Sequence, residues 1–132
     1  MATALKMRGG EGGERLPLEE TNAFFNACEL VLGCGNMLND CLEPVNMKLR
    51  DFDAPMSGAA YITTYNPDLE NLFAPNSMIF YRSIPELIEK VRHYLTHKKL
   101  LIPIRTQAFQ QASSKHTYER RLSDVFKKLE IS

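Results

Sequence analysis

The chain predicts a three-layer α/β fold, a partial doubly wound domain with about three parallel strands flanked by helices. Three observations carry this. Short apolar runs at Glu29-Leu30-Val31-Leu32-Gly33, Tyr61-Ile62-Thr63-Thr64 and Met78-Ile79-Phe80-Tyr81-Arg82 have the length and continuity of strands covered on both faces. Segments of helical periodicity separate them, so the strands pair in parallel through crossovers. With 132 residues, 44% of them hydrophobic and 24% charged, the chain has the size and composition of one domain. Three strands leave two edges and little covered central area, which makes the pattern that of half a doubly wound domain.

Met1 to Arg15 holds four of the seven glycines and little apolar content, and predicts a flexible lead-in before structure begins near residue 16. Pro17 suits a first helical turn and Glu19 and Glu20 its positive end. Leu18, Thr21, Phe24, Phe25 and Cys28 then recur at helical spacing. After the first strand, Gly33-Cys34-Gly35-Asn36 reads as a turn permitting positive φ, followed by a less regular segment through Glu43-Pro44 that lines a surface or pocket. Helical character returns from Val45 to about Phe52, with Pro55 limiting its extent.

Asn66-Pro67 opens a short helix carrying Leu69, Leu72 and Phe73 inward. Ser83, Pro85 and Glu86 form the clearest helix start, an N-cap with a capping-box acid three residues later. Leu87, Ile88, Val91, Tyr94 and Leu95 supply that helix's apolar stripe, and Glu86 and Lys90 pair across one turn. Further helices are expected over Ile104 to Ser113, despite Pro103, and over Thr117 to Leu129. No internal repeat interrupts this order.

Composition excludes several function classes. Sixteen basic and sixteen acidic residues cancel, so bulk charge favours neither a nucleic acid nor an anionic membrane. The local cluster Arg120, Arg121, Lys127 and Lys128 lacks interleaved aromatics and reads as a solvated helix face. No run approaches the roughly 20 apolar residues of a membrane span, and the first sixteen residues are not signal-like. A cytoplasmic protein is expected. Cys28, Cys34 and Cys41 are odd in number and lack CxxC spacing, which signals neither disulfides nor zinc. They read as buried or incidental thiols, with Cys34 the one to test for reactivity. His93 and His97 stand four apart without an acidic third ligand, so no metal site is expected. His116, an acid or base by chemistry, reads as a helix-start residue.

The candidate site lies where the turns and the second helix meet. Gly33 and Gly35 after a strand allow close approach of a phosphate to the backbone, although no full phosphate-loop motif is present. Asp51 and Asp53 beside Lys48 and Arg50 can offer carboxylates to sugar hydroxyls and cations to a diphosphate. A solvated, salt-bridged helix end is the competing description. Ser57-Gly58-Ala59 would add close backbone N–H groups.

Four segments in order resemble one family: Leu-Pro-Leu-Glu-Glu from Leu16, Leu-Arg-Asp-Phe-Asp-Ala-Pro-Met-Ser-Gly-Ala from Leu49, the segment from Tyr81 that runs through Ser83, Glu86 and Lys90, and His-Thr-Tyr-Glu-Arg-Arg-Leu from His116. The family is the spore-maturation-type (CgeB-like) glycosyltransferases of the GT-B group, and the resemblance covers about Leu16 to Leu129. It implies that residues 16–132 are the later half of a Rossmann-like C-terminal domain that binds a nucleotide-sugar donor, as part of an enzyme transferring a sugar to an acceptor. Asp53, five residues before Gly58, would contact the donor ribose where related retaining GT-B enzymes carry Glu, and the partner acid of that motif falls at Val45 and is absent. Arg50 would face the donor phosphates, and Gly33, Gly35, Ser57, Gly58 and Ala59 would shape the pocket. No cofactor and no metal are implied.

The acceptor domain and early strands of such an enzyme are expected to be supplied from outside this sequence, by an N-terminal domain or by another chain at the open sheet edge. Transfer by this chain alone is therefore not expected. A noncatalytic interaction module using the same open edge is the alternative.

Overall fold

A computed structural model describes residues 17–34, 36–38, 41–45 and 47–130. The expected lead-in and Gly35 lie outside the described residues. The elements run α1 (Leu18–Ala27), β1 (Val31–Leu32), β2 (Asn36–Leu38), β3 (Cys41–Val45), α2 (Arg50–Met56), β4 (Tyr61–Thr64), α3 (Pro67–Leu72), β5 (Ile79–Tyr81), α4 (Ile84–Thr96), α5 (Leu101–Lys115) and α6 (Tyr118–Lys128). β1, β4 and β5 form a parallel sheet in that spatial order, with Val31 opposite Tyr61 and Ile62 opposite Ile79. This is the expected partial α/β sandwich.

β4 is central, and all four of its residues are buried. Because side chains alternate across a strand, Tyr61 faces a cluster with Val31, Ala54, Leu69, Phe73 and Ala112, while Ile62 faces another with Ile79, Tyr81, Leu101 and Ile104. α2 covers the first face. α4 covers the second through Leu87, Val91 and Tyr94. α5 reaches both clusters, with Leu101 and Ile104 in one and Ala112 in the other.

Several helix starts follow from the sequence. Asn66 accepts from the Asp68 N–H at 2.9 Å, Ser83 from Glu86 N–H at 3.3 Å, and Thr117 from Arg120 N–H at 3.2 Å, each satisfying an orphan amide of a first turn. Glu86 and Lys90 pair at 2.8 Å as expected. α5 begins three residues before Ile104 because Pro103 lies in its first turn, where the missing N–H costs nothing.

Two expectations need correction. The irregular segment through Glu43-Pro44 is an antiparallel hairpin of β2 and β3, with a register shift between Asn36 and Leu38, and α2 starts at Arg50 rather than Val45. β1, expected to be covered on both faces, is an edge strand whose Leu32 is 48% exposed.

His116 joins the end of α5 to α3. Its Nε2–H donates to the Leu72 carbonyl at 2.8 Å, its ring packs on Phe73 and Phe52 with centroids 4.9 and 5.6 Å away, and its buried Nδ1 has no partner. Burial, then the charges of Arg121 and Lys115, lower its pKa, against the raising effect of the Leu72 bond. Above the ordinary value of 6.5 the ring is neutral folded or unfolded. As pH falls from there towards the lowered folded value, the unfolded chain takes up a proton that the folded ring refuses, and stability drops. The urea midpoint is expected to fall through this window in the wild type and to fall less in His116→Gln.

Candidate functional site

A helix between two parallel strands runs back along the sheet, so its first residues stand at the carboxyl ends of the strands and its last at the amino ends. α2 therefore has its Arg50 end beside Gly33 and Cys34, which leave β1, and its Met56 end beside the start of β4. The carboxyl rim is where open α/β sheets bind ligands.

At that rim Asp51 is buried, 1% exposed. Its Oδ1 accepts from the Tyr61 hydroxyl at 2.6 Å, and its Oδ2 from the Lys48 N–H at 2.7 Å. Burial first, then the Asp51 charge and its hydrogen bond, push the Tyr61 phenol well above the usual tyrosine range. A Cβ at Gly33 would stand 1.8 Å from the Tyr61 hydroxyl, 2.4 Å from its ring carbon and 2.9 Å from the Thr63 hydroxyl. Gly33 is thus glycine because Tyr61 lies against it. It does not take the positive φ expected of this turn, which among the described glycines belongs to Gly58 alone.

The expected site residues separate into two groups. Gly33 and Arg50 share the carboxyl rim, and Arg50 is close enough for its charge to act on Tyr61. Asp53 follows one turn along α2. It is exposed, yet the protein on one side of it desolvates the carboxyl enough to raise its pKa. Ser57, Gly58 and Ala59 lie at the opposite end of α2, and their amides are engaged. Ser57 N–H bonds to the Asp53 carbonyl at 3.0 Å, Gly58 N–H to Pro55 at 3.0 Å and Ala59 N–H to Ala54 at 3.2 Å. With Gly58 at φ +80°, this is a Schellman cap, reinforced by the Asn26 amide donating to the Ser57 carbonyl at 2.8 Å. These three residues act on α2 from its far end.

Other groups reach the rim without having been singled out as ligand contacts. Tyr81 donates to the Gly33 carbonyl at 3.0 Å, Thr64 donates to Tyr81 at 3.3 Å, and the exposed Cys34 stands beside Thr64. Arg82 stacks on Tyr65 with its guanidinium 3.7 Å from the ring centroid. The signal available in sequence was position alone: Thr64 and Tyr81 close β4 and β5, and Tyr65 and Arg82 follow.

Two shallow surface depressions lie elsewhere, along the outer face of α4 past Glu86, His93 and His97 and over the turn to α5. Each is lined by one stretch of chain, residues 86–97 and 95–100, whereas the rim gathers groups from several elements. Among the described residues no cluster of three metal-binding side chains occurs, and no helix is long and apolar enough to cross a membrane.

Comparison with protein families matches residues 6–127 to the glycosyl transferase-like family. No curated protein and no solved structure matches the chain.

Proposed function

The chain belongs to the glycosyl transferase-like family, and from that premise we propose that it binds a nucleotide-sugar donor as the later half of a GT-B C-terminal domain, close to the CgeB-like enzymes. The observation that carries the proposal is the placement of Arg50 and Asp53 on a helix that starts at the carboxyl rim of the parallel sheet. Arg50 can pair with donor phosphate. Asp53 can accept from two adjacent ribose hydroxyls in its ionised form.

In this scheme Arg50 carries the charge of the departing diphosphate, and no metal or organic cofactor is required. Transfer needs donor and acceptor held together away from water. One rim supplies one wall of such a cleft, so the acceptor side is proposed to come from an N-terminal domain or another chain at the sheet edge. The setting is proposed to be cytoplasmic.

A noncatalytic interaction module is the second reading, favoured by the exposed stripe of Tyr118, Leu122, Val125 and Phe126 on α6. Amide chemical-shift mapping with UDP, GDP and TDP separates the two. Shifts concentrated at Gly33, Cys34, residues 48–53 and residues 64–66 are expected. No shift with any nucleotide, or shifts confined to α6, would overturn the donor-site reading.

A further inference from the structure

We infer that Asp51 is the positioning residue of this rim: it fixes where α2 begins, and so where Arg50 and Asp53 stand, an inference that rests on the donor-site reading for its functional meaning. α2 has seven residues, too few for intrinsic propensity to define its start. The residue before it, Leu49, offers no side-chain cap. Asp51 supplies the missing anchor from inside the first turn, reaching back to the Lys48 N–H.

That bond alone would leave one carboxylate oxygen bare in a site from which water is excluded. Tyr61 closes it from the central strand, and Gly33 leaves the room in which the Tyr61 hydroxyl lies. Three segments thus converge on this one side chain: the turn after β1 by the absent Cβ of Gly33, β4 by the Tyr61 phenol and the turn before α2 by the Lys48 N–H. Arg50 and Asp53 flank Asp51 in sequence, so any shift of Asp51 moves both.

The pair is poorly explained as a source of stability only, because apolar side chains of similar volume commonly stabilise a core as well as buried polar groups do. What the polar pair adds is direction. Each oxygen of Asp51 has one donor, and one placement of the helix satisfies both.

The test compares Asp51→Ala, Asp51→Asn, Tyr61→Phe and Asp53→Ala in the full chain. Amide hydrogen exchange is read at residues 48–53 and across β4, alongside titration with UDP, GDP and TDP. Asp51→Asn keeps both bonds, its carbonyl accepting from Lys48 and its amide donating to the Tyr61 oxygen. Exchange at Lys48 is expected to accelerate at least tenfold in Asp51→Ala and Tyr61→Phe while β4 stays protected, and to remain near wild type in Asp51→Asn and Asp53→Ala. Nucleotide affinity is expected to fall about tenfold in Asp51→Ala and Tyr61→Phe, equivalent to one lost hydrogen bond, and to recover in Asp51→Asn.

Unchanged exchange at residues 48–53 in Asp51→Ala, or acceleration that β4 shares equally, would overturn the inference. If the wild type binds none of the three nucleotides, the donor-site reading fails. The exchange pattern then decides by itself whether Asp51 sets the start of α2.

Discussion

Gly33→Ala is expected to destabilise the domain by about 3 kcal/mol or more, the upper range for forcing a methyl group into a packed interior. The added Cβ would stand 1.8 Å from the Tyr61 hydroxyl, and Tyr61 is 1% exposed, so the ring has no solvent-filled space to enter. Any escape also withdraws the hydroxyl from Asp51 and leaves a buried carboxylate oxygen unpartnered, itself costly by about 1–3 kcal/mol. Thermal unfolding should shift down by roughly 10 °C. Gly58→Ala provides the contrast. Its Cβ would meet only the Asn26 amide at 3.2 Å, and the cost of φ +80° is about 1–2 kcal/mol. An equal or reversed order of the two variants would show that Gly33 is an ordinary turn glycine.

Asp53→Ala is expected to leave folding nearly unchanged and to weaken nucleotide-sugar binding about ten- to hundredfold. The side chain is exposed, and truncation at an exposed helix position costs little stability. One hydrogen bond from a ribose hydroxyl to a charged carboxylate is worth about 1.5–3 kcal/mol, so the loss of a single such bond already gives the stated range of affinity. Only the ionised form accepts both bonds. Because the carboxyl pKa is raised by desolvation, affinity should fall on acidification at a higher pH than an ordinary aspartate would give, and that dependence should vanish in Asp53→Ala.

The legible parts of the fold were those whose signals are local. β4 was readable residue for residue, since Tyr61-Ile62-Thr63-Thr64 is apolar or β-branched throughout and bounded by glycine and proline segments. The starts of α3 and α4 were readable because Asn66 and Ser83 cap their own helices. The hairpin of β2 and β3 was not, because Pro44 removes a ladder donor and reads as a strand breaker, while an isolated two-stranded ribbon tolerates it. The start of α2 was misplaced because no capping residue marks it. Asp51, ten residues before Tyr61, is neither visibly buried nor visibly paired until the sheet brings the two together. Gly33 gave a turn signal for the same reason: a close approach by a distant ring leaves no local trace. In the candidate site, the sequence identified Arg50 and Asp53 beside one another, but the capping role of Ser57, Gly58 and Ala59 appeared only once the direction of α2 was known.

The family assignment and the carboxyl rim meet in one claim, that this chain holds a nucleotide-sugar donor through α2. Calorimetric titration of the folded wild type and Asp53→Ala with UDP-, GDP- and TDP-sugars tests it most directly. Saturable one-site binding of at least one donor by the wild type, with affinity reduced tenfold or more in Asp53→Ala, is the predicted result. No saturable binding of any donor by a folded sample, or equal binding by both proteins, would contradict it.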